Sequence, residues 1–113
     1  MAANAPAAAN LFSGKVILAP MVRAGTLPLR LLALEHGCDT VYSEELIDRS
    51  VAKLRRMPNG RLGTVDYIDP NGKLIFSTNR SKECGRLVFQ MGSASASQAL
   101  EVGHGRRRIA ILC

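Results

Sequence analysis

Apolar positions in this chain fall into short continuous runs that alternate with stretches of helical spacing. Lys15-Val16-Ile17-Leu18-Ala19, closed by Pro20, is a run of the kind buried on both faces of a parallel sheet. A helix follows, with Thr26 placed to cap it and Pro28 in the first turn, where a missing donor costs nothing. Leu27, Leu31 and Leu34 share one face of that helix, Pro28 and Leu32 widen it, and Gly37 supplies a left-handed stop. Asp39-Thr40-Val41-Tyr42 repeats the strand signal, and Leu46 to Met57 predicts a second amphipathic helix with Ile47, Val51 and Leu54 inward and Pro58 ending it. Thr64 to Ile68 and Lys73 to Ser77 are β-prone segments around Asp69-Pro70-Asn71-Gly72, whose Pro and Gly suit a tight hairpin turn. Leu87-Val88-Phe89-Gln90-Met91 is a third buried-strand candidate, and Ser95 with Gln98 forms a capping box that starts a third helix. The pattern stops at about Gly103, where Gly103-His104-Gly105, Arg106-Arg107-Arg108 and an apolar end to Cys113 follow without a linker or a cap.

Strand and helix in alternation lead to a parallel sheet, either doubly wound or closed into an eight-stranded barrel. A complete barrel takes roughly 250 residues, so the 113 residues here hold at most its first three β/α units, with an inserted β-hairpin. Length limits the chain to one domain, divided on this reading into a disordered leader (1–12), the three-unit body (13–102) and a divergent basic and apolar tail (103–113).

Composition narrows the chemistry. An apolar content of 47% excludes disorder throughout, and with five aromatic residues and no Trp the core must come from aliphatic side chains. Lys15, Arg23, Arg30 and Glu35 interrupt the most hydrophobic stretch, so no membrane span is expected. Six Ala and no charge among the first ten residues match neither a secretory signal nor a transit peptide. Cys38, Cys84 and Cys113 form no C-x-x-C and lie near no His pair, which suggests a reduced, cytoplasmic protein without a metal site. Fifteen Lys and Arg against nine Asp and Glu give +6, favouring an acidic partner without identifying one.

Leu18-Ala19-Pro20-Met21-Val22-Arg23-Ala24-Gly25-Thr26-Leu27-Pro28-Leu29-Arg30 resembles the start of the tRNA-dihydrouridine synthases, which open with an L-A-P-M strand end and a T-x-x-x-R helix start. Val41-Tyr42-Ser43-Glu44-Glu45-Leu46-Ile47 is similar to that family's second strand and loop, and Val88-Phe89-Gln90-Met91-Gly92 to its third strand. The hairpin T-V-D-Y-I-D-P-N-G-K-L-I-F-S-T is similar to the eukaryotic branch that modifies position 20 of the tRNA D-loop. The resemblance implies a (β/α)8 TIM barrel carrying FMN, reduced by NADPH or NADH, that delivers hydride to the C5=C6 bond of a uridine in tRNA. By motif position it implies that Pro20, Met21, Val22 and Arg23 line the flavin ring, that Glu45 sits at the second strand's end, and that Gln90 hydrogen-bonds the ring's polar edge. An amide suits that edge because it both donates and accepts.

Plainer readings stand beside these. A-P-M is also an ordinary strand stop, and a structural hydrogen bond to backbone would satisfy a buried Gln90 equally well. Glu44 reads as a helix-dipole partner rather than half of an acid–base pair, because adjacent side chains in a strand point to opposite faces. Arg49, Lys53, Arg55, Arg56 and Arg61 read as a solvated helix face, with contact to tRNA phosphates as the alternative. Gly103-His104-Gly105 is no dinucleotide fingerprint, since no strand precedes it.

The chain departs from the family where an N-M-G-C-P-K loop with its catalytic cysteine is due. Cys113 ends an A-I-L-C stretch, so no catalytic residue is assigned. The expectation is an amino-terminal fragment of a synthase, replaced after about Val102 by a truncated gene model, splice form or frameshift. Such a fragment would be inactive, and its exposed strand edge would aggregate or need the rest of the barrel. Other readings are a different flavin-dependent TIM-barrel oxidoreductase and a small basic RNA-binding module without redox activity.

Overall fold

The computed structural model describes residues 12–104. The expected leader lies outside this range apart from Phe12, and the expected tail apart from Gly103 and His104, through which the last helix runs.

Three strands, β1 (Ile17–Leu18), β2 (Thr40–Tyr42) and β7 (Leu87–Val88), form a parallel sheet in the order β1-β2-β7. The pairing resumes beyond their carboxyl ends, where β3 (Leu46–Ile47) lies parallel to β8 (Met91–Gly92). Helix α1 (Leu27–Glu35) crosses from β1 to β2. The longer passage from β2 to β7 holds α2 (Asp48–Ala52), an antiparallel sheet of β4 (Arg55–Asn59), β5 (Thr64–Ile68) and β6 (Leu74–Thr78), and α3 (Arg80–Glu83). Helix α4 (Ala96–His104) follows β8. The fold is mixed α/β, with parallel strands in chain order and an antiparallel excursion between the second and third.

Several expectations hold in detail. Gly37 takes a φ of +95° after α1, and Gly72 a φ of +84° in the hairpin turn, where its N–H donates to Asp69 O at 3.0 Å. Asp69 Oδ1 accepts from Asn71 N and Lys73 N, an Asx turn that fixes the β5–β6 connection. Strands β5 and β6 fall where the alternation put them, and Ser95 Oγ accepts from Gln98 N at the start of α4.

Other expectations are corrected. The helix expected over Leu46 to Met57 shrinks to α2, flanked by the short strand β3 and by β4. Pro58 lies inside β4 because β4 is the edge of its sheet, where a missing N–H breaks no ladder. The run at Lys15 to Ala19 is not buried on both faces: Val16 is 64% and Ile17 36% exposed, because α1 packs chiefly against β2. The third strand is interrupted at Phe89 and Gln90. Thr26 precedes α1 but makes no side-chain cap. Leu32 and Pro28 face solvent rather than widening the buried stripe, as does Ile47. Cys38 is a buried free thiol.

The core gathers Cys38, Val41, Leu87, Val51, Leu54 and Val102 with the inner face of the hairpin sheet, Val65, Tyr67 and Phe76. Phe76 meets Tyr67 at a centroid distance of 5.8 Å and Phe89 edge-to-face at 5.3 Å, so one aromatic row ties the hairpin to the end of β7. On the outer face Asp66 accepts from Ser77 Oγ, Thr64 Oγ1 and Asn59 Nδ2, one bond from each neighbouring strand and one from its own. Burial pushes the Asp66 carboxyl up, but these three donors outweigh it and hold it below the ordinary value of 3.8. Burial pushes the Tyr67 phenol up, against the pull of the Arg56 guanidinium.

Candidate functional site

In a parallel sheet every strand delivers its carboxyl end to the same side, so the loops after β1, β2 and β7 share one edge of the molecule. All six residues singled out in the sequence lie in those loops or at β8's approach: Pro20 to Arg23 after β1, Glu45 after β2, and Gln90 after β7.

Their positions are fixed by residues between them. Arg23 adopts a φ of +65°, a left-handed conformation that costs a side-chain-bearing residue about 1–2 kcal/mol. Its N–H donates to Glu44 Oε2 at 3.1 Å, and Gly25 N closes the same loop onto Met21 O at 3.1 Å. Gly25 is required by close approach: a Cβ there would stand 2.7 Å from Glu44 N. On the other side of β2, the fully buried Ser43 accepts from Gln90 N at 2.9 Å and donates to Glu44 O at 3.0 Å. Leu46 N then donates to Gln90 O at 3.2 Å, restarting the ladder as β3 and β8. Ser43 and Glu44 thus join three strand ends into one hydrogen-bonded unit. Glu44 reads in the sequence as a helix-dipole partner; its carboxylate accepts from Arg23 N at the turn after β1, and the residue lines the cleft at the start of α1. Ser43 stands in the sequence only as one letter of the second-strand motif, although a lone hydroxyl closing an apolar strand is a usable signal.

The surface of this unit is part apolar and part polar. Met21 is 40% and Val22 76% exposed, Pro20 and Arg23 are also exposed, and Gln90 is half-buried. Gln90 spends its backbone N–H and carbonyl on Ser43 and Leu46, and its side-chain amide has no partner among the described residues. Glu45 is exposed, and its Oε1 lies against Gly92 where a Cβ would otherwise sit.

Beneath the β1 loop is a second buried polar unit that the sequence did not disclose. Arg30, on α1, donates to Gly25 O at 2.9 Å and to Ser77 O at 2.6 Å, and pairs with Glu83. Glu83 Oε2 also accepts from Thr78 Oγ1 at 2.6 Å and Asn79 N at 3.1 Å. A cleft of about 150 Å³ between the start of α1 and β6 adjoins this unit. Among the described residues no group of three or more His, Cys, Asp or Glu is placed to hold a metal, and no helix is long and apolar enough to cross a membrane.

Parallel strands joined through helices, with an organised polar and apolar surface at their carboxyl ends, define an α/β protein of the class that gathers ligands at strand ends. Over 96 residues the chain is 46% identical to the tRNA-dihydrouridine(20) synthase [NAD(P)+] of Saccharomyces cerevisiae. Over 93 residues it is 40% identical to the tRNA-dihydrouridine(20) synthase [NAD(P)+] of Schizosaccharomyces pombe. Each alignment takes in 80% of this chain, which spans 25% of the first relative's length and 19% of the second's. No family model matches the chain. These two likenesses identify the chain as a segment belonging to the tRNA-dihydrouridine synthase family.

Proposed function

We propose that this chain is part of the flavin-binding domain of an enzyme that reduces uridine to dihydrouridine in tRNA. The observation that carries the reading is the unit at the strand ends: the residues that match the family's motifs lie on one edge of a parallel sheet, tied together by Ser43 and Glu44. Strands β1, β2 and β7 correspond on this reading to the first three strands of a TIM barrel, and the β4–β6 sheet to an insertion in it.

The residues present fit FMN. A flavin ring has a broad apolar body and a pyrimidine edge that both donates and accepts. Met21 and Val22 offer exposed apolar surface for the first, and the unpartnered amide of Gln90 offers both roles for the second. Bound FMN would supply hydride chemistry, with NADPH or NADH as the reductant and the C5=C6 bond of the uridine as the acceptor, the accompanying proton coming from outside this chain. The chain's own residues orient and shield. Glu44 holds the Arg23 turn so that Pro20, Met21 and Val22 form one wall, and Ser43 fixes the backbone from which Gln90 projects. Glu45 adds a carboxylate at the rim beside Gly92. No residue of the chain takes a catalytic role, because the N-M-G-C-P-K loop is absent from it, and the chain alone is expected to have no turnover. The intact enzyme would act on tRNA in the cytoplasm.

Purification of the intact protein from its locus tests this. The expected result is a yellow protein with FMN absorbance and, on deletion of the locus, loss of dihydrouridine from cellular tRNA. A colourless protein whose deletion leaves tRNA dihydrouridine unchanged would sink the reading.

A further inference from the structure

The structure changes the meaning of the basic run at 49–61. On a single helix face it would be an ordinary solvated surface, but the residues are distributed over three elements. Arg49 lies on α2, Lys53 caps its carboxyl end, Arg55 and Arg56 lie on β4, and Arg61 lies in the turn that leads to β5. All five are exposed, and Arg56, next to Arg55 on the strand, faces the opposite side of the sheet and hydrogen-bonds Tyr67, which leaves Arg49, Lys53, Arg55 and Arg61 for the strip. The carboxylates nearest in sequence are withdrawn from them: Asp48 is buried and accepts from Ser93 Oγ and Arg49 N, and Asp66 is committed to Asn59, Thr64 and Ser77. The ion pair among the described residues, Arg30 with Glu83, involves none of the five.

Protection of an open sheet edge is the obvious structural use for charge on β4, and Arg55, Arg56 and Pro58 do serve it. Edge protection does not explain Arg49, Lys53 or Arg61, which lie off the strand. Strand geometry, at about 3.4 Å per residue, separates Arg55 from the turn beyond Asn59 by roughly 14 Å, so the cations follow a line rather than a point. Glu101, exposed on α4, lines one cleft with Arg49 and Lys53, so the cations of the strip outnumber the one free acid beside them, and such a line suits a polyanion because each phosphate met releases counterions.

We propose that the outer edge of the inserted sheet, from Arg49 through β4 to Arg61, is an RNA phosphate-binding strip. It rests on the reading that the intact protein acts on tRNA and adds where on this segment the backbone of that RNA is held. The strip is a positioning surface that carries no sequence information, and its contribution weakens as salt rises.

The test uses the intact protein with Lys53→Glu, Arg55→Glu and Arg61→Glu combined, Arg56 being kept because it adjoins the buried Tyr67. A control triple, Lys15→Glu, Arg80→Glu and Lys82→Glu, makes the same charge change at exposed positions off the strip. The expected result for the strip variant is tRNA affinity at least about tenfold lower at low salt, with the dependence of log Kd on log salt flatter by about 2 to 3. KM for tRNA rises, while flavin content and reduction by NADPH stay at the wild-type level, and the control triple loses much less. Should the strip variant fold poorly, as flavin loss would report, the Gln versions of the same three positions give the same readout with a smaller effect. Equal losses in strip and control, or an unchanged salt dependence in the strip variant, overturn the inference and leave the synthase reading standing. Failure of the wild-type protein to bind tRNA at all removes both.

Discussion

Arg30 Nε donates to Glu83 Oε1 at 2.6 Å, and neither side chain exposes more than 1% of its surface. The pair spans α1 and α3, and through Gly25 O and Ser77 O it also reaches the turn after β1 and the last strand of the inserted sheet. The Arg30 guanidinium lies 5.1 Å from the centroid of the Phe76 ring, which places the same group over the aromatic row.

Breaking this pair from one side strands a buried charge. Arg30→Ala or Glu83→Ala is expected to lower unfolding free energy by about 3–5 kcal/mol, read as a shift in urea midpoint. Replacing both with apolar residues, as in Arg30→Met with Glu83→Leu, should recover much of that loss, because no unpaired charge remains. A double variant as unstable as the worse single one would contradict this.

The two close-packed glycines should respond differently to a methyl group. At Gly25 the obstacle is the Glu44 backbone, which cannot move without displacing β2, so Gly25→Ala is expected to cost about 1–3 kcal/mol and to disturb the Arg23 turn. At Gly92 the obstacle is the end of the Glu45 side chain, which can swing away, so Gly92→Ala should leave stability within about 0.5 kcal/mol of the parent. Thermal melts of the two variants side by side check the contrast.

Acid should loosen the inserted sheet through Asp66. Its folded-state pKa is lowered, so its stabilising contribution is fully present above the unfolded value near 3.8 and is lost as pH falls through the folded one. Because Asp66 is only half-buried, the effect is small, on the order of 1 kcal/mol after solvent screening. Asp66→Asn should lose that much at pH 7 and show a flatter stability profile below pH 4, measured by urea unfolding across the acid range.

On the proposed reading, Gln90→Ala in the intact protein should weaken FMN binding by about tenfold, the worth of one well-made hydrogen bond to a polar ring edge. Folding should be little affected, since Ser43 bonds to the backbone of residue 90 and not to its amide. Flavin fluorescence titration gives the first quantity and a thermal melt the second.

How much of this was legible beforehand varied with the range of the interactions concerned. β5, β6 and their turn could be read from alternation and from Asp69-Pro70-Asn71-Gly72, because a hairpin is specified by neighbours in sequence. β4 could not, because Val51 and Leu54 continued a helical spacing into it and Pro58 looked like a helix stop. Nothing near β4 reveals that it will be an edge strand, where Pro is tolerated. The six candidate residues were placed at strand ends by motif position, and three strand ends are where they lie. The groups that hold them there have no signature in the local sequence. Ser43, Glu44 and Arg30 act across loops on partners 21 to 53 residues away, beyond any local pattern.

The 53-residue separation of Arg30 and Glu83 also bears on how the molecule is made. At a synthesis rate of about 5–20 residues per second, the guanidinium leaves the ribosome roughly 3–10 s ahead of its carboxylate. During that interval the inward-facing guanidinium of the first helix has the Gly25 carbonyl but lacks its carboxylate. Early docking of that helix is therefore disfavoured until the inserted sheet is complete, and a nascent chain paused between these two residues is a natural client for a chaperone.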